Sequence, residues 1–400
     1  MKDLEKKARA YALKNAISYK GKANQGAVIS ALFNEGLEKN KVKDVVPVIS
    51  NIIKKVNSLS PEEQKKEFES IKEEISERQV REGLPEIPNT EKGIITRIAP
   101  SPSGAMHIGH ALTASISYLY VKKYGGKFYV RIEDTNPDNI YEPAYKLLEE
   151  DSKWLFEGNA KIIIQSERMK IYYKYIKELI KKDSAYVCNC SSEDFKEFVK
   201  NKKNCPCRKL SVKENQEKWK KMLSKEGFKQ GEVVLRFKSD MKHPNPAMRD
   251  FPLARINETE HPLQKNKYRV WPLMNLSVAI DDLELGITHI IRAKDHRDNA
   301  KRQQLIYKAL EKENKIPWNA FLGRWHIKGL KLSSSQITKD IKEGKYSAWN
   351  DPKLPTLQVL KTKYKPQAFH KFAENRGLSE VDKTIDKKEF FRILDIFNKD

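Results

Sequence analysis

Between Ile94 and Glu133 the chain changes its local grammar three times, and that succession leaves few folds open. Ile94-Ile95-Thr96-Arg97-Ile98-Ala99 reads as a short strand, Pro100 to Met106 as a turn, and His107 to Tyr124 alternates with helical period before Gly125-Gly126 closes it. Lys127 to Glu133 is a second strand. Strand, helix and strand with short joints make a βαβ unit, so the two strands are expected to be parallel. Ligands bind beyond the carboxyl ends of such strands. The segment Arg97 to His110 lies at one such end and Glu133-Asp134 at the next. Downstream the pattern stays mixed: a helix over about 167–181, a strand over 232–238, an apolar run over 271–280, and a buried strand over 287–292 ending in a charge. The fold class expected is α/β.

The N-terminal ninety residues read differently. Leu4, Ala8, Tyr11, Ala12 and Ala16 recur on one helical face, and Asp44 is placed to cap a second helix carrying Val45, Val48, Ile49, Ile52, Ile53 and Val56. Ser60-Pro61-Glu62-Glu63 has the residues of a capping box. Charged residues 86–93 look like a linker. A chain of 400 residues, 39% hydrophobic and 33% charged, suits a soluble protein of two to four domains. There is no apolar run of membrane-spanning length and no apolar stretch at the N-terminus of the secretory kind, so a cytoplasmic location with no membrane partner is expected.

A net charge of +23 favours polyanionic partners, nucleic acid first among them, although a Lys- and Asn-rich composition produces the same excess. All four cysteines fall between Cys188 and Cys207, which is unlike a disulfide framework. Cys188-Asn189-Cys190, fourteen residues, then Cys205-Pro206-Cys207 offers four thiolates in two close pairs. Four sulfurs suit a structural, tetrahedral Zn²⁺; four thiols without metal is the other reading.

His107 and His110, separated by Ile108-Gly109, stand at the first turn of a helix, where free N–H groups and the macrodipole favour phosphate. Gly109 there lets a flat base approach the backbone. The string Arg97-Ile98-Ala99-Pro100-Ser101-Pro102-Ser103-Gly104-Ala105-Met106-His107-Ile108-Gly109-His110 resembles the HIGH motif of class I aminoacyl-tRNA synthetases, with a lead-in similar to that of the glutamyl branch, archaeal type. Arg131 to Pro137, Trp271 to Asn275, Asp281-Asp282, Gly286 to His296 and Trp349 to Thr356 extend the resemblance along the chain. Lys331-Leu332-Ser333-Ser334-Ser335-Gln336 resembles the KMSKS loop, with Ser334 where the second lysine usually stands, so that either Lys331, Lys339 or Mg²⁺ compensates or activity is lower.

The resemblance implies a Rossmann-like parallel-sheet catalytic domain with an α+β zinc-bearing insertion and flanking helical regions. In residues, these are an N-terminal helical extension (1–90), the first half of the catalytic domain (91–185), an insertion meeting the tRNA acceptor end (186–265), the second catalytic half (266–330), and the KMSKS-like loop with a helical stem-contact region (331–400). It implies ATP-dependent attachment of glutamate to tRNA(Glu) through a glutamyl-adenylate, tRNA(Gln) being a further candidate substrate, by a monomer using Mg²⁺ and a structural Zn²⁺. Catalysis would fall to His107, His110 and Lys331, and ATP binding to these with Gly109 and Ser333. Glutamate would meet Arg97, Ala99, Ser101, Glu133, Met274 and Arg292; many relatives have tyrosine where Met274 stands. Glutaminyl enzymes lack an arginine at the position of Arg292, and the competing structural role for Arg292 is a pair with a nearby acid such as Asp295. The family usually continues beyond the segment resembling Phe390 to Asp400 into anticodon-reading β-barrels. Two other functions fit the same motifs: glutamyl transfer to a modified tRNA base, and a non-catalytic tRNA-binding paralogue.

Overall fold

The computed structural model describes residues 2–19, 21–38, 41–75 and 83–399, in two compact units, Met1–Arg81 and Glu82–Asp400. The first unit is helical: Lys2–Ser18, Gln25–Asn34, Val42–Asn57 and Pro61–Ile71. Ala8, Ala12, Ala16 and Leu13 of the first helix meet Val28, Leu32, Ile49, Ile53 and Val56 in one core. The helix Gln25–Asn34 has no sequence signal of its own because it is apolar nearly all round and shows no contrasting face. Its start is fixed by Asn24, whose side chain accepts from the Ala27 N–H. Asp44 is not a cap: Lys41 holds that position, and Asp44 lies inside the first turn, where its charge complements the positive helix end. The box at Ser60 forms as expected, with the Glu63 N–H donating to Ser60 Oγ and the Ser60 N–H donating to Glu63 Oε2 at 2.7 Å.

The second unit opens on the expected strand–helix–strand. Strands β1 (Ile94–Ile98), β2 (Gly126–Ile132) and β3 (Ala160–Ile164) are parallel, and Ile108–Tyr124 is the crossover helix. An antiparallel sheet follows, β4 (Ala185–Cys188), β5 (Val234–Phe237), β6 (Pro252–Ile256) and β7 (Val270–Pro272), paired in sequence order. The chain then returns to parallel pairing with β8 (His289–Ala293) and β9 (Trp318–Leu322), and with β10 (Trp325–Lys328) and β11 (Lys383–Asp386). The Thr288 N–H donates to Ile95 O at 2.8 Å, and the Ile95 N–H to Thr288 Oγ1 at 2.9 Å. These bonds set the start of β8 beside the start of β1, so both strands open their carboxyl ends on one side. Chain order reverses there, which is where open α/β sheets bind ligands.

Two packing features hold that opening in place. The helix Ile108–Tyr124 contributes Ile108, Ala111, Leu112, Ala114 and Tyr118 to a core shared with Val130, Ile132, Leu357, Phe369 and Phe390, so the C-terminal helices back the crossover helix. The stretch expected to be a linker is tethered at its start: Leu84 and Ile87 are buried, Tyr120 donates to Pro85 O at 2.9 Å, and His289 Nε2 lies 2.7 Å from Pro88 O.

Candidate active site

His107 is the N-cap of the crossover helix, not its first residue. Its Nδ1 accepts from the Gly109 N–H at 3.1 Å, and its own N–H donates to His110 Nδ1 at 3.4 Å. The two rings stack with centroids 3.9 Å apart. Both Nδ1 atoms are thus occupied as acceptors, leaving Nε2–H as the free donor on each ring. Burial holds His107 well below the ordinary imidazole range, with His110 adding to the effect, and burial lowers His110 to about 4. At neutral pH the pair therefore presents two uncharged donors. A Cβ on Gly109 would come within 3.0 Å of the His107 ring, so glycine spares the cap.

The turn before these histidines is braced from three directions. Asp151 Oδ2 accepts from the Met106 N–H at 2.9 Å, while Gln358 donates to Oδ1 at 2.7 Å. Burial pushes this carboxyl up to about 7. Asp151 belongs to no motif; its sequence signal is an acid on the apolar stripe Leu148, Asp151, Leu155 of the helix Ala144–Leu155. Ser334 is buried and donates to Ala105 O at 3.0 Å. The residue standing in for a lysine thus ties the second loop to the first. Thr338 donates to Ser103 O, and Ser333 caps the helix Ser334–Lys342. Trp349 covers Gly104, where an added Cβ would fall 2.1 Å from the indole at φ +155. Gly104→Ala is therefore expected to push the turn outward; a displacement of about 1 Å at reacting groups costs about 10²-fold in rate, measurable as kcat alongside the melting temperature.

Beyond β1, β2 and β8 lies a cavity of about 320 Å³ lined by Arg97, Ala99, Ser101, Gly109, His110, Glu133, Met274 and Arg292. Every residue expected at the amino acid is on this wall. Met274, though partly exposed, belongs to it as the first residue of the helix Met274–Glu284. A second cavity, of about 530 Å³, shares Gly109 and Thr113 with the first and is lined by His107, Trp325, His326, Leu330 and Leu332. Lys331 lies between the last two but is exposed and lines neither cavity; among the described residues it forms no ion pair. Lys339, the other lysine expected to replace the missing one, faces Glu343 at 3.8 Å.

The charge pattern beneath the first cavity goes beyond what the motifs imply. Arg97 donates through Nε and Nη2 to both oxygens of Asp282, at 3.1 and 2.9 Å. Only its Nη1 edge is left without a hydrogen-bond partner among the described residues. Arg131, fully buried, donates to Asp282 at 2.6 Å and to Glu133 at 3.0 Å. Asp281 is taken by Arg168, Gln165 and Tyr172. The sequence assigns Arg131 and Asp282 no role because a motif match does not say which side chains pair. Arg292 does not pair with Asp295: that carboxylate accepts from Arg324 at 2.8 Å. Burial and the nearby Arg97 lower the Arg292 guanidinium to about 9. Burial raises the Glu133 carboxyl against the opposing pull of Arg131 and Arg97. Four guanidiniums (Arg97, Arg131, Arg168, Arg292) face three carboxylates (Asp281, Asp282, Glu133), so among the described residues the cluster carries one uncompensated positive charge.

At the end of β4, the sulfurs of Cys188, Cys190, Cys205 and Cys207 all lie within 4.8 Å of one another. Cys188–Cys205 and Cys190–Cys207 are 3.9 and 3.7 Å apart. Four sulfurs about 2.3 Å from one zinc stand roughly 3.8 Å from each other, so the spacing fits. Among the described residues this is the one group of three or more His, Cys, Asp or Glu that converges at ligand range.

The family model for tRNA synthetases class I (E and Q), catalytic domain, matches residues 93–396. The glutamate–tRNA ligase of Pyrococcus furiosus is 43% identical over 96% of this chain and 68% of its own length. That of Methanocaldococcus jannaschii is 40% identical over 99% and 71%. The glutamate–tRNA synthetase structure from Elizabethkingia anophelis, 20% identical, superposes with a TM-score of 0.54 over 75% of this chain and 69% of that one, a likeness of fold. With its parallel sheet, its histidine-capped crossover helix, its arginine-lined cavity and relatives that match it nearly end to end, the chain belongs to the class I tRNA synthetases of the glutamate and glutamine type.

Proposed function

We propose that the chain attaches glutamate to tRNA(Glu) at the expense of ATP, through a glutamyl-adenylate. One observation carries this reading: Arg97, Glu133, Arg292 and His110 share one cavity, and that cavity holds a positive charge that no carboxylate among the described residues balances. A zwitterionic glutamate has two carboxylates and one ammonium, so its net charge matches the excess. Glutamine would leave it uncompensated.

The residues take their parts from this geometry. Glu133 receives the α-ammonium, the open Nη1 edge of Arg97 the α-carboxylate, and Arg292 the side-chain carboxylate, with Ala99, Ser101 and Met274 shaping the wall. The second cavity takes ATP against His107 and Gly109. The Nε2–H groups of His107 and His110 donate to the phosphates as the glutamate carboxylate attacks the α-phosphorus and pyrophosphate leaves; the 2′-hydroxyl of the terminal tRNA adenosine then attacks the acyl carbon, the acyl–phosphate bond breaks, and AMP leaves with the hydroxyl proton. Preorganised neutral donors stabilise the charge spread over the phosphoryl oxygens without needing to be protonated. Lys331 and Ser333 close over the leaving pyrophosphate. Mg²⁺, which commonly binds through substrate phosphates and few carboxylates, would come with the triphosphate and would add positive charge beside the histidine pair. Residues 186–265 meet the acceptor end, and the protein acts as a monomer.

Aminoacylation with radiolabelled glutamate on tRNA(Glu) and tRNA(Gln) tests the reading; no acyl-tRNA on either overturns it. Periodate-blocked tRNA should accept no label, whereas base modification would persist.

The four cysteines are proposed to bind a structural zinc, which would staple β4 to the loop 205–207. Chelation, or Cys205→Ser, is expected to remove zinc measured by atomic emission and to lower the melting temperature by roughly 5–10 °C. A metal-free wild-type protein of unchanged stability would exclude it.

A further inference from the structure

Arg292 sits in a shell of neutral groups. Its Nη1 donates to Gln303 Oε1 at 2.9 Å, its Nε donates to Asn319 Oδ1 at 3.1 Å, and its Nη2 donates to the same oxygen. The Asn319 amide is itself oriented, because its Nδ2 donates to Pro317 O at 2.8 Å and turns Oδ1 towards the guanidinium. Asn319 lies in β9 and Gln303 on the helix Arg297–Ala309, so two independent elements grip one side chain. Gln303 is buried and lines the amino-acid cavity. Acids in the neighbourhood are engaged elsewhere: Asp282 with Arg97 and Arg131, Glu133 with Arg131, Asp295 with Arg324.

We propose that Gln303 and Asn319 are positioning residues that set amino-acid specificity: as carboxamides they fix the plane of Arg292 while leaving its charge for an acidic substrate side chain. The proposal rests on the assignment of Arg292 to the glutamate side chain. A carboxylate at either position would accept the same hydrogen bonds more strongly, but it would also neutralise the guanidinium. The incoming γ-carboxylate would then bring an uncompensated negative charge into a desolvated cavity. A carboxamide orients without neutralising. It therefore suits the position behind the arginine of a glutamate-selecting site.

The test is Gln303→Glu and Asn319→Asp, with Gln303→Met as a neutral control, assayed by tRNA-dependent pyrophosphate exchange. Gln303→Glu is expected to raise KM for glutamate about 10–100-fold, the loss of charge-assisted bonds to one group. KM for ATP stays within about twofold, and inhibition by L-glutamine, whose side chain is uncharged, shifts less than about threefold by the same reasoning. Gln303→Met should keep KM for glutamate within about tenfold. Should Asn319→Asp unfold, because its new oxygen faces the Pro317 carbonyl, Gln303→Glu still decides. An unchanged glutamate KM overturns the proposal, and so does a parallel rise in the glutamate KM and the glutamine inhibition constant. A wild-type enzyme whose exchange ignores glutamate would instead sink the functional reading beneath it.

Discussion

Arg292→Leu is expected to lower kcat/KM for glutamate by about 10²–10³-fold, mostly through KM, because truncating one partner of a buried charge pair costs about 2–5 kcal/mol. Without a substrate carboxylate beside it, this guanidinium is a burden. Burial and Arg97 depress its pKa to about 9, so folding disfavours its charged form. A cation whose folded pKa is lowered contributes unfavourably while it is charged, which covers neutral pH. A leucine removes that burden but leaves Gln303 Oε1 and Asn319 Oδ1 without their donor, so the melting temperature should shift by only a few degrees even as glutamate binding collapses. Exchange kinetics and a thermal melt on the same preparation check both halves. A glutamate KM within about threefold of wild type would mean that the substrate carboxylate is held elsewhere.

His110→Ala should slow pyrophosphate exchange by about 10²–10³-fold with tRNA present, the range for removing one preorganised donor from a developing anion. Two effects combine here. The Nε2–H donor disappears, and so does the Nδ1 that accepts from the His107 N–H, along with the ring that stacks on His107. The pH profile separates this role from acid–base chemistry. His110 titrates at about 4, below the ordinary imidazole value because burial disfavours the cation, so its neutral donor persists from pH 8 down past pH 6. Its protonation should leave no break near pH 6.5 in kcat. An acid limb there that vanished in His110→Ala would show that the ring works as a proton carrier.

Much of this site is legible in the order of residues. The period change around Pro100 locates the βαβ unit, and the pairing of β1 with β2 is parallel as that pattern requires. The histidines and glycine at the helix start, the arginines at the strand ends and the doubled cysteines announce themselves because their chemistry is local: a cap, a donor or a thiolate acts within a few residues of its neighbours. The helix Gln25–Asn34 does not, having no polar face to give it a period, and the helix start expected at Asp44 lies a few residues earlier, at Lys41, where no side chain caps it.

What the order of amino acids determined alone was therefore the class of sheet, the place of the phosphate-binding helix start and the kinds of side chain beside it. Tertiary structure alone decided which charges cancel. That Asp282 takes Arg97 and Arg131, that Asp151 reaches back to the Met106 N–H, that Ser334 fastens one loop to the other, and that Arg292 meets two amides rather than Asp295 all depend on residues far apart in the chain. The reason is physical. Coulomb energy and desolvation depend on distance and burial in space, and a linear text carries neither until the chain has folded.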